Sequence, residues 1–272
     1  MKVLVVGANG LLGSNLVRGC LDMSWETDCV VRTRVDNLTG GDLQLINVTE
    51  IEKLEDRYDI VFHAAGNYRQ QVDELIESNV GIVGRLMSKL KSAKLVFAST
   101  VMVYGNQKSI ISENTILSPA DNYGVVKLCT EALVRQQEKH VIVRLASLYG
   151  LGMYPNTFIP ISIRNAKKDN VVTVFGNGER SNNYIHVRDA VQYLLAGAVK
   201  SANGTYLASA RKSYSNNELA SIICNQLPEC EIRHTGEDKS FSYCYDNGKS
   251  RDLLGINQET KISEGLKELI DV

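Results

Sequence analysis

Two side chains that could transfer a proton together lie four residues apart in the middle of the sequence, at Tyr123 and Lys127. Residues at positions i and i+4 of a helix share one face, so a helix over this segment would place the phenol beside the amine. A neighbouring ammonium stabilises the phenolate and lowers the pKa of the tyrosine towards a range that is useful for proton transfer. The pair therefore predicts a general acid/base, with an ordinary pair on a helix surface as the alternative.

Hydroxyl groups follow a nearly unbroken apolar run just upstream of this pair. The segment Ser99–Gly105 comes directly after residues 94–98, which read as a strand buried on both faces. Ligands of parallel sheets bind at the carboxyl ends of the strands. We therefore expect Thr100 to hydrogen-bond a reacting carbonyl or hydroxyl oxygen, and Lys127 to reach a ribose hydroxyl as well.

A glycine-rich turn stands behind the first apolar run of the chain. Gly7, Gly10 and Gly13 have the spacing G-x-x-G-x-x-G, and they follow a strand and open a helix, which is the order that a dinucleotide pyrophosphate site requires. Gly7 permits the tight turn, Gly10 lets the backbone approach the pyrophosphate, and Gly13 lets the helix pack closely on the strand. The helix N-terminus would then face the anion.

The second apolar run predicts which nicotinamide cofactor is bound. An NAD site places an acid at the end of this strand, whereas an NADP site places arginine nearby for the 2′-phosphate. The strand ends in Arg32-Thr33-Arg34, and the first acid, Asp36, comes late. Arginine offers a planar fork that suits phosphate. We therefore predict NADP(H) rather than NAD(H), with ordinary exposed arginines as the alternative.

The elements that must hold these residues alternate between strands and helices through the first half of the chain, which predicts an α/β fold with a doubly wound parallel sheet. Strands are predicted at Lys2–Val6, Thr27–Thr33, Leu43–Asn47, Ile60–Ala64, Lys94–Ala98 and Val141–Leu145. Helices are predicted at Leu11–Asp22, Glu50–Arg57, Val72–Lys91 and Tyr123–Lys139.

The pattern changes after Gly150, where loop residues precede a basic helix near Ile161–Lys168. We predict a Rossmann domain over residues 1–150, to which residues 181–208 return, with a late strand at Thr205–Ala208 added to the main sheet. Residues 151–180 and 209–272 then form a smaller, substrate-binding lobe towards the C-terminus.

Composition narrows the classes of function. The 272 residues carry a formal net charge of -1, with 44% hydrophobic and 22% charged residues, so no charged surface favours nucleic acid or a membrane. The six cysteines lack C-x-x-C spacing and read as reduced, mostly buried thiols, and the four histidines lack ligand spacing, so no metal is expected. The first apolar run is too short for a signal sequence, and we predict a cytoplasmic location.

Taken together, these segments resemble the extended short-chain dehydrogenase/reductases, specifically the sugar-nucleotide epimerase/dehydratase/reductase group. The likeness covers nearly the whole chain and is specific for the family rather than for one reaction. It rests on Gly7–Gly13, His63–Gly66, Asn79, Ser99–Gly105, Tyr123–Lys127, Arg144 with Tyr149 and Gly150, and Tyr184–Ala190.

The resemblance implies roles for individual residues. Tyr123 would be the acid/base, Lys127 its electrostatic partner and a ribose ligand, and Thr100 the third catalytic hydroxyl. The backbone of Ala64, Ala65 and Gly66 would line the adenosine. The full set predicted to bind the cofactor is Gly7, Asn9, Gly10, Leu11, Leu12, Gly13, Arg32, Arg34, Ala64, Ala65, Gly66, Ser99, Tyr123 and Lys127.

The chain departs from the family pattern at positions that bear on the reaction. The 4,6-dehydratases carry an Asp-Glu pair after the catalytic threonine, where this chain has Val101-Met102, so dehydration is disfavoured. Val101 also replaces the cysteine of the epimerase-reductases that make fucose. Asn182 replaces an arginine that grips the nucleotide diphosphate, and Ser147 replaces a frequent asparagine. The predicted substrate contacts are Thr100, Ser147, Arg180 and Asn182.

These departures, with the arginines after the second strand, favour an NADPH-dependent reductase that acts on the 4-keto group of a 6-deoxy sugar attached to a nucleoside diphosphate. A nucleotide-sugar 4-epimerase is the first alternative, and a non-catalytic NADP-sensing protein is the second. By the same resemblance, the helices Val72–Lys91 and Tyr123–Lys139 would form the four-helix contact of a homodimer.

Overall fold

The computed structural model describes residues 1–33, 43–66, 68–199 and 203–272. The described part of residues 1–150 contains six long strands of the central sheet, whose bounds lie within two residues of the predicted ones. These strands are β1 (Lys2–Val6), β2 (Glu26–Val31), β3 (Gln44–Asn47), β4 (Ile60–His63), β5 (Lys94–Thr100) and β6 (His140–Leu145). The α-helices between them are α1 (Leu11–Asp22), α2 (Val72–Ile76), α3 (Ile82–Lys89) and α4 (Asn122–Val134).

The second half mixes short strands with longer helices. Its strands are β7 (Ser147–Tyr149), β8 (Val171–Phe175), β9 (Ser181–Asn182), β10 (Tyr184–His186), β11 (Gly204–Ala208), β12 (Tyr214–Ser215) and β13 (Glu231–Thr235). Its helices are α5 (Phe158–Asp169), α6 (Val187–Val199), α7 (Asn216–Cys224), α8 (Gly248–Leu254) and α9 (Ile262–Ile270). The predicted basic helix is confirmed as part of α5, and the late strand is confirmed as β11.

The central sheet is parallel throughout the part of the chain that the structure describes. Its seven strands have the order β11-β6-β5-β4-β1-β2-β3, and β11 pairs with β6 from Gly204 opposite Val141 to Ala208 opposite Leu145. The chain reverses its direction of winding between β1 and β4, so a crevice opens at the carboxyl ends of these two strands. The predicted doubly wound α/β fold is confirmed.

Helices cover both faces of this sheet because its strands are apolar on both faces. In β1, Val3 and Val5 pack with residues of α1 and α6, whereas Leu4 and Val6 pack on the other face with residues of α3. All seven residues of β5 are buried. A strand buried in this way is fixed in register, so the residues at its end have defined positions.

A separate hydrophobic cluster lies in the second half of the chain. It brings together β8, α5, α7 and α9 through buried residues such as Ile159, Val172, Leu219 and Leu266. This cluster is the place where a substrate lobe was predicted. The division of the chain into two domains stays a prediction.

Three predicted helices have different bounds in the structure. Residues Val48–Lys53 form a 3₁₀ turn where a helix was predicted at Glu50–Arg57, and a capping box of Asn47 and Glu50 fixes its earlier start. The helix predicted over residues 72–91 consists of α2, a π turn at Glu77–Gly81 and α3. The helix predicted over residues 123–139 ends at Val134.

The prediction that all six cysteines are reduced thiols is wrong for two of them. Cys224 and Cys230 form a disulfide, because the end of α7 and the residue before β13 bring their Cα atoms to 4.9 Å. Cys20 and Cys29 are buried thiols, and burial raises the pKa of each to about 12. Cys129 and Cys244 are exposed, contrary to the expected burial.

Neither a membrane-spanning helix nor a cluster of metal ligands occurs among the described residues. None of their helices combines the length and the apolar character that a bilayer crossing requires. No group of three or more His, Cys, Asp or Glu side chains is placed so that it could hold a metal ion, again within the described ranges. The cytoplasmic location stays a prediction.

Candidate active site

The phenol of Tyr123 and the amine of Lys127 lie on one face of α4. The helix starts where Asp121 accepts a hydrogen bond from the Gly124 amide at 2.7 Å, which is an N-cap interaction. Tyr123 is in the first turn and Lys127 is one turn later. The Lys127 Nζ atom lies 5.8 Å from the centre of the Tyr123 ring.

The amine of Lys127 is held by the sheet. Its side chain is only 2% exposed, and Nζ donates to the carbonyl oxygens of Ala98, at 2.9 Å, and Ala65, at 3.2 Å. Ala98 lies two residues before Thr100 on β5, and Ala65 lies in the loop after β4. The amine therefore links α4 to two neighbouring strand ends, at the edge where ligands of parallel sheets bind.

The charges of this pair differ from the sequence-based expectation. Burial lowers the pKa of Lys127 to about 7, although the Glu131 carboxylate opposes this shift. The pKa of Tyr123 is raised, first by burial and then by the Asp121 carboxylate. The prediction that the pKa of Tyr123 lies below its ordinary value is therefore wrong for the protein alone, because burial of the phenol raises it.

The two hydroxyls at the end of β5 have different surroundings. Thr100 caps a 3₁₀ turn over Val101–Tyr104, and its Oγ1 accepts from the Met102 amide at 3.2 Å. Because that oxygen is the acceptor, the hydroxyl proton of Thr100 can be donated elsewhere. Ser99, predicted to bind the cofactor, donates instead to a buried carboxylate oxygen of Glu131 at 2.6 Å.

The glycine turn has the shape that close packing of α1 on the sheet demands. Gly7 has a φ of +83° and its amide donates to the Val30 carbonyl at 3.0 Å. A Cβ atom on Gly13 would overlap the Gly7 carbonyl oxygen and would lie 2.9 Å from the Ala8 Cα. The first turn of α1, with Leu11 and Leu12, carries no acidic residue, and Gly10 provides no side-chain cap. The amides of this turn therefore suit an anion.

The end of β2 lies beside this turn. The side-chain Nδ2 of Asn9 donates to the Thr33 carbonyl oxygen at 3.4 Å, and the side chain of Arg32 is exposed. The structure thus brings together Asn9 and the backbone next to Arg32. Arg34, the second predicted phosphate ligand, lies outside the described residues.

The loop after β4 is the third predicted side of the cofactor site. Ala64, Ala65 and Gly66 are half-buried, and Gly66 has a φ of +108°. A Cβ atom on Gly66 would lie 2.9 Å from the carboxamide of Asn79, a buried residue in the π turn. The buried Oδ1 of Asn79 has no hydrogen-bond partner within the described part of the chain. This loop therefore rests directly on the residue that the sequence motif had singled out.

The predicted substrate contacts are divided between two places. Asn182 donates from its side chain to Ser147 Oγ at 3.2 Å, so these two residues lie together on β9 and β7. The Arg180 Nε atom lies 2.7 Å from a carboxylate oxygen of Asp238. The sequence offered no signal for Asp238, because it is 58 residues away from Arg180 along the chain.

A group of aromatic and cationic side chains in two loops was also missed by the sequence analysis. The Tyr68 ring meets the Tyr123 ring edge-on, with their centres 6.4 Å apart. Arg69 donates from Nε to the Tyr68 hydroxyl at 2.9 Å, and its guanidinium stacks 3.3 Å from the centre of the Tyr154 ring. These contacts join the loop after β4 to the loop after β7, next to the acid/base candidate.

Comparison with known protein families agrees with this geometry. A family model described as "NAD dependent epimerase/dehydratase family" matches residues 3–207. An uncharacterized UDP-glucose epimerase, YtcB, of Bacillus subtilis (strain 168) is 24% identical over 98% of this chain and 96% of its own length. A dTDP-glucose 4,6-dehydratase of Streptomyces niveus is 25% identical over 100% of this chain and 92% of its own length.

Solved structures resemble this one over the full chain. The structure of MoeE5 in complex with UDP-glucuronic acid and NAD has a TM-score of 0.87 at 26% identity, and the match covers 100% of this chain and 98% of that one. An ADP-L-glycero-D-manno-heptose-6-epimerase of Helicobacter pylori also gives 0.87, at 20% identity and with 99% and 95% coverage, which is a likeness of fold alone.

Proposed function

Because the chain belongs to the NAD dependent epimerase/dehydratase family, we propose that it is an NADPH-dependent reductase for the 4-keto group of a 6-deoxy nucleotide sugar. The observation that carries the proposal is the position of the Lys127 amine, which lies against the ends of β4 and β5 with the Tyr123 ring beside it. The family match itself confirms the predicted extended short-chain dehydrogenase/reductase and an NAD(P)-dependent enzyme.

Nucleotide sugars are the substrate class that the relatives support. Their names refer to UDP-glucose and dTDP-glucose, and MoeE5, at 26% identity, was solved with UDP-glucuronic acid and NAD. For this chain we assign Ser147, Asn182 and Arg180 to the substrate side. To bind a phosphate of the substrate, the guanidinium of Arg180 would have to leave Asp238 or contact the phosphate and Asp238 at the same time.

Reduction is proposed rather than dehydration because of the residues that follow Thr100. The turn Val101–Tyr104 contains no carboxylate, and Val101 is buried while Met102 is partly exposed. Expulsion of a hydroxyl from the sugar needs an acid at that point to protonate the leaving oxygen. The relatives named as dehydratases therefore share the fold with this chain, but we do not transfer their reaction to it.

A dinucleotide fits the residues that are present. The close approach of Gly13 to Gly7, the uncapped first turn of α1 and the backbone of Ala64 to Gly66 together leave a cradle of backbone amides and small residues. When bound, the reduced nicotinamide supplies the hydride. The preference for NADPH over NADH is our proposal from Arg32, and it goes beyond the structural neighbours, which were solved with NAD.

The side chains of this chain would handle the proton. In the reductive direction Tyr123 gives its phenolic proton to the carbonyl oxygen of the substrate as the adjacent carbon gains a hydride, so a ketone becomes a secondary alcohol. Thr100 donates a hydrogen bond to the same oxygen, since its own oxygen already accepts from the Met102 amide. Lys127, in its ammonium form, stabilises the phenolate that remains until solvent returns a proton.

Epimerisation at C4 is the second candidate, and it is favoured by the name of the relative from Bacillus subtilis, a UDP-glucose epimerase. The same three side chains would act first in oxidation and then in reduction. Net consumption of reduced cofactor separates the two reactions, because an epimerase regenerates its cofactor in each cycle.

The experiment is to incubate the protein with NADPH and a panel of 4-keto-6-deoxy nucleotide sugars while the absorbance of the reduced cofactor is followed. We expect consumption that Tyr123→Phe lowers by about 10²–10⁴-fold and that Thr100→Ser retains better than Thr100→Val. Tyr206→Phe, which removes the hydroxyl of a tyrosine on β11 away from the site, is the matched control and should stay active. The second candidate is tested in a parallel assay with a 4-hydroxy nucleotide sugar such as UDP-glucose and oxidised cofactor, where a C4 epimer without net change of the cofactor would establish it. Cofactor binding without turnover in either assay would establish the sensing protein.

We also propose that the protein is a homodimer. Val72 and Ile76 on α2 and Val125 on α4 are apolar and more than 40% exposed, on the helices for which the contact was predicted. Apolar side chains grouped on adjacent helices are typical of subunit interfaces.

A further inference from the structure

A buried charged cluster lies directly behind the candidate acid/base pair. The Glu131 carboxylate on α4 accepts from Ser99 Oγ at 2.6 Å, from Arg144 Nε at 3.0 Å and from Arg144 Nη2 at 2.7 Å. Arg144 also donates from Nη1 to the Tyr104 hydroxyl at 3.0 Å. We call Ser99, Tyr104, Glu131 and Arg144 the Glu131 cluster. The side chain of Glu131 is 0% exposed and that of Arg144 is 4% exposed.

Each member of the Glu131 cluster belongs to an element that carries or neighbours a proposed catalytic group. Ser99 immediately precedes Thr100 on β5, and Tyr104 ends the 3₁₀ turn that Thr100 caps. Glu131 follows Lys127 by one helical turn on α4, and Arg144 comes from β6. A two-pronged pairing of arginine with carboxylate has little angular freedom. The cluster therefore fixes the distance between the strand that holds Thr100 and the helix that holds Tyr123 and Lys127.

The cluster also places a negative charge near Lys127. Burial disfavours ionisation of Glu131, but the hydrogen bonds from Arg144, Ser99 and Arg135 hold its pKa below the ordinary value, so it is charged. Residues at i and i+4 are neighbours on a helix, and this charge opposes the loss of the proton from Lys127 that burial favours. The other titratable groups next to the amine are Tyr123 on α4 and His63 on β4, and His63 is neutral because burial and Lys127 lower its pKa to about 3.

We propose that the Glu131 cluster is a positioning device for the reaction, in which Glu131 supplies the charge behind Lys127 and its hydrogen bonds with Ser99 and Arg144 hold α4 against β5 and β6. The proposal rests on the proposed function in one respect, namely that Tyr123 transfers the proton with Lys127 beside it. None of the four residues of the cluster is assigned to the reacting atoms.

An NMR titration of Lys127 tests the effect of Glu131 on its charge directly and needs no substrate. The protein is labelled with ¹³Cε-lysine, the Lys127 signal is identified by its absence in Lys127→Arg, and its chemical shift is followed against pH. In Glu131→Gln we expect the midpoint of Lys127 to fall by about one pH unit relative to wild type. Arg135→Ala, which removes a partly exposed donor to the same carboxylate, is the matched control and should leave the midpoint unchanged within about 0.3 of a pH unit. An unchanged midpoint in Glu131→Gln overturns the proposal.

A second pair of variants separates a positioning role from a merely structural one. Glu131→Gln leaves Arg144 buried without its partner, so it is expected to lose stability, whereas replacing a buried ion pair by apolar residues is often tolerated. The double variant Glu131→Met with Arg144→Met should therefore fold with a near-native unfolding midpoint. We nevertheless expect its Lys127 midpoint to stay low and the alkaline limb of its kcat profile to lie about one pH unit below that of wild type.

The outcomes distinguish this proposal from the proposed function. Recovery of both the Lys127 midpoint and the kcat profile in the double variant would show that the cluster only supports folding, which overturns the proposal. A protein that turns over none of the keto sugars refutes the proposed function, yet the titration of Lys127 still decides whether the Glu131 cluster controls the charge of that amine.

Discussion

The Nζ atom of Lys127 lies 2.9 Å from the carbonyl oxygen of Ala98, so the amine of α4 is bonded to the backbone of β5 two residues before Thr100. This contact has two consequences for the candidate site. It fastens the helix that carries Tyr123 to the strand that carries Thr100, and it leaves a buried amine whose charge depends on pH near neutrality.

The pH dependence of folding should reveal that buried amine. The pKa of Lys127 is about 7 in the folded protein and near its ordinary value of 10.5 when the chain is unfolded. Between these values the unfolded chain binds a proton that the folded one lacks, so this group adds stability as the pH rises from 7 towards 10.5 and removes it as the pH falls back to 7. The free energy of unfolding of wild type should therefore increase relative to that of Lys127→Met between pH 7 and pH 9.5.

Chemical denaturation at several pH values measures this difference. Lys168→Met removes an exposed lysine at the end of α5, and its difference from wild type should stay constant over the same range. A constant difference for Lys127→Met as well would mean that the amine keeps its proton in the folded protein.

Alanine substitutions in the glycine-rich turn should distinguish an effect on folding from an effect on cofactor binding. A Cβ atom on Gly13 would overlap backbone atoms, so Gly13→Ala should lower the free energy of unfolding by about 1–3 kcal/mol and abolish binding of NADPH. On Gly10 the same atom meets only the Gly7 oxygen at 3.4 Å, so Gly10→Ala should fold normally but bind NADPH weakly. Calorimetry and thermal unfolding give both quantities.

Gly84→Ala is the control for these two variants, because Gly84 lies in α3 with open space around its Cα atom. It should raise the stability by about 0.5–1 kcal/mol and leave cofactor binding unchanged. Normal NADPH binding by Gly10→Ala would contradict the assignment of this turn to the pyrophosphate.

The sequence predicted the sheet and the turn well because both depend on local patterns. Apolar runs of strand length, glycines behind the first of them and the four-residue spacing of Tyr123 and Lys127 can all be read without knowing distant contacts. The 3₁₀ turn after β3 begins before the predicted helix Glu50–Arg57, because its N-cap, Asn47, lies outside the segment in which the helix was predicted.

The parts that the sequence did not predict depend on contacts between remote segments. Glu131 and Arg144 lie on different elements, and nothing in their spacing indicates that both side chains are buried against Ser99. The pairing of Arg180 with Asp238 is of the same kind. The pKa of Tyr123 was predicted in the wrong direction because burial outweighs the effect of the nearby amine, and burial cannot be read from a spacing.

The proposed preference for NADPH rests on Arg32. If its guanidinium pairs with the 2′-phosphate, Arg32→Ala should weaken NADPH binding by about tenfold or more and change NADH binding little. Arg18→Ala, which removes an equally exposed charge from α1, should affect neither cofactor. Fluorescence titration of the three proteins with both cofactors measures the six dissociation constants, and a wild type that binds NADH more tightly than NADPH would refute the preference.

The proposed homodimer is tested at the exposed apolar residues of α2 and α4. Ile76→Glu places a charge in the proposed contact and should convert a dimer to a monomer in light scattering. Ile116→Glu, at an 81% exposed position outside those helices, should leave the dimer intact. A wild type that is already monomeric at micromolar concentration would exclude the proposed dimer.

Transfer of deuterium tests most directly whether Thr100, Tyr123 and Lys127 surround a site of hydride transfer. Reduced cofactor that carries deuterium at C4 of the nicotinamide is supplied with the 4-keto sugar nucleotide that wild type consumes fastest, and the product is analysed by mass spectrometry and NMR. We predict one deuterium at C4 of the sugar from wild type, and at least about 10²-fold slower transfer from Tyr123→Phe at unchanged cofactor affinity. Equal transfer rates in the two proteins, or no deuterium in any product of a cofactor-bound wild type, would contradict the assignment.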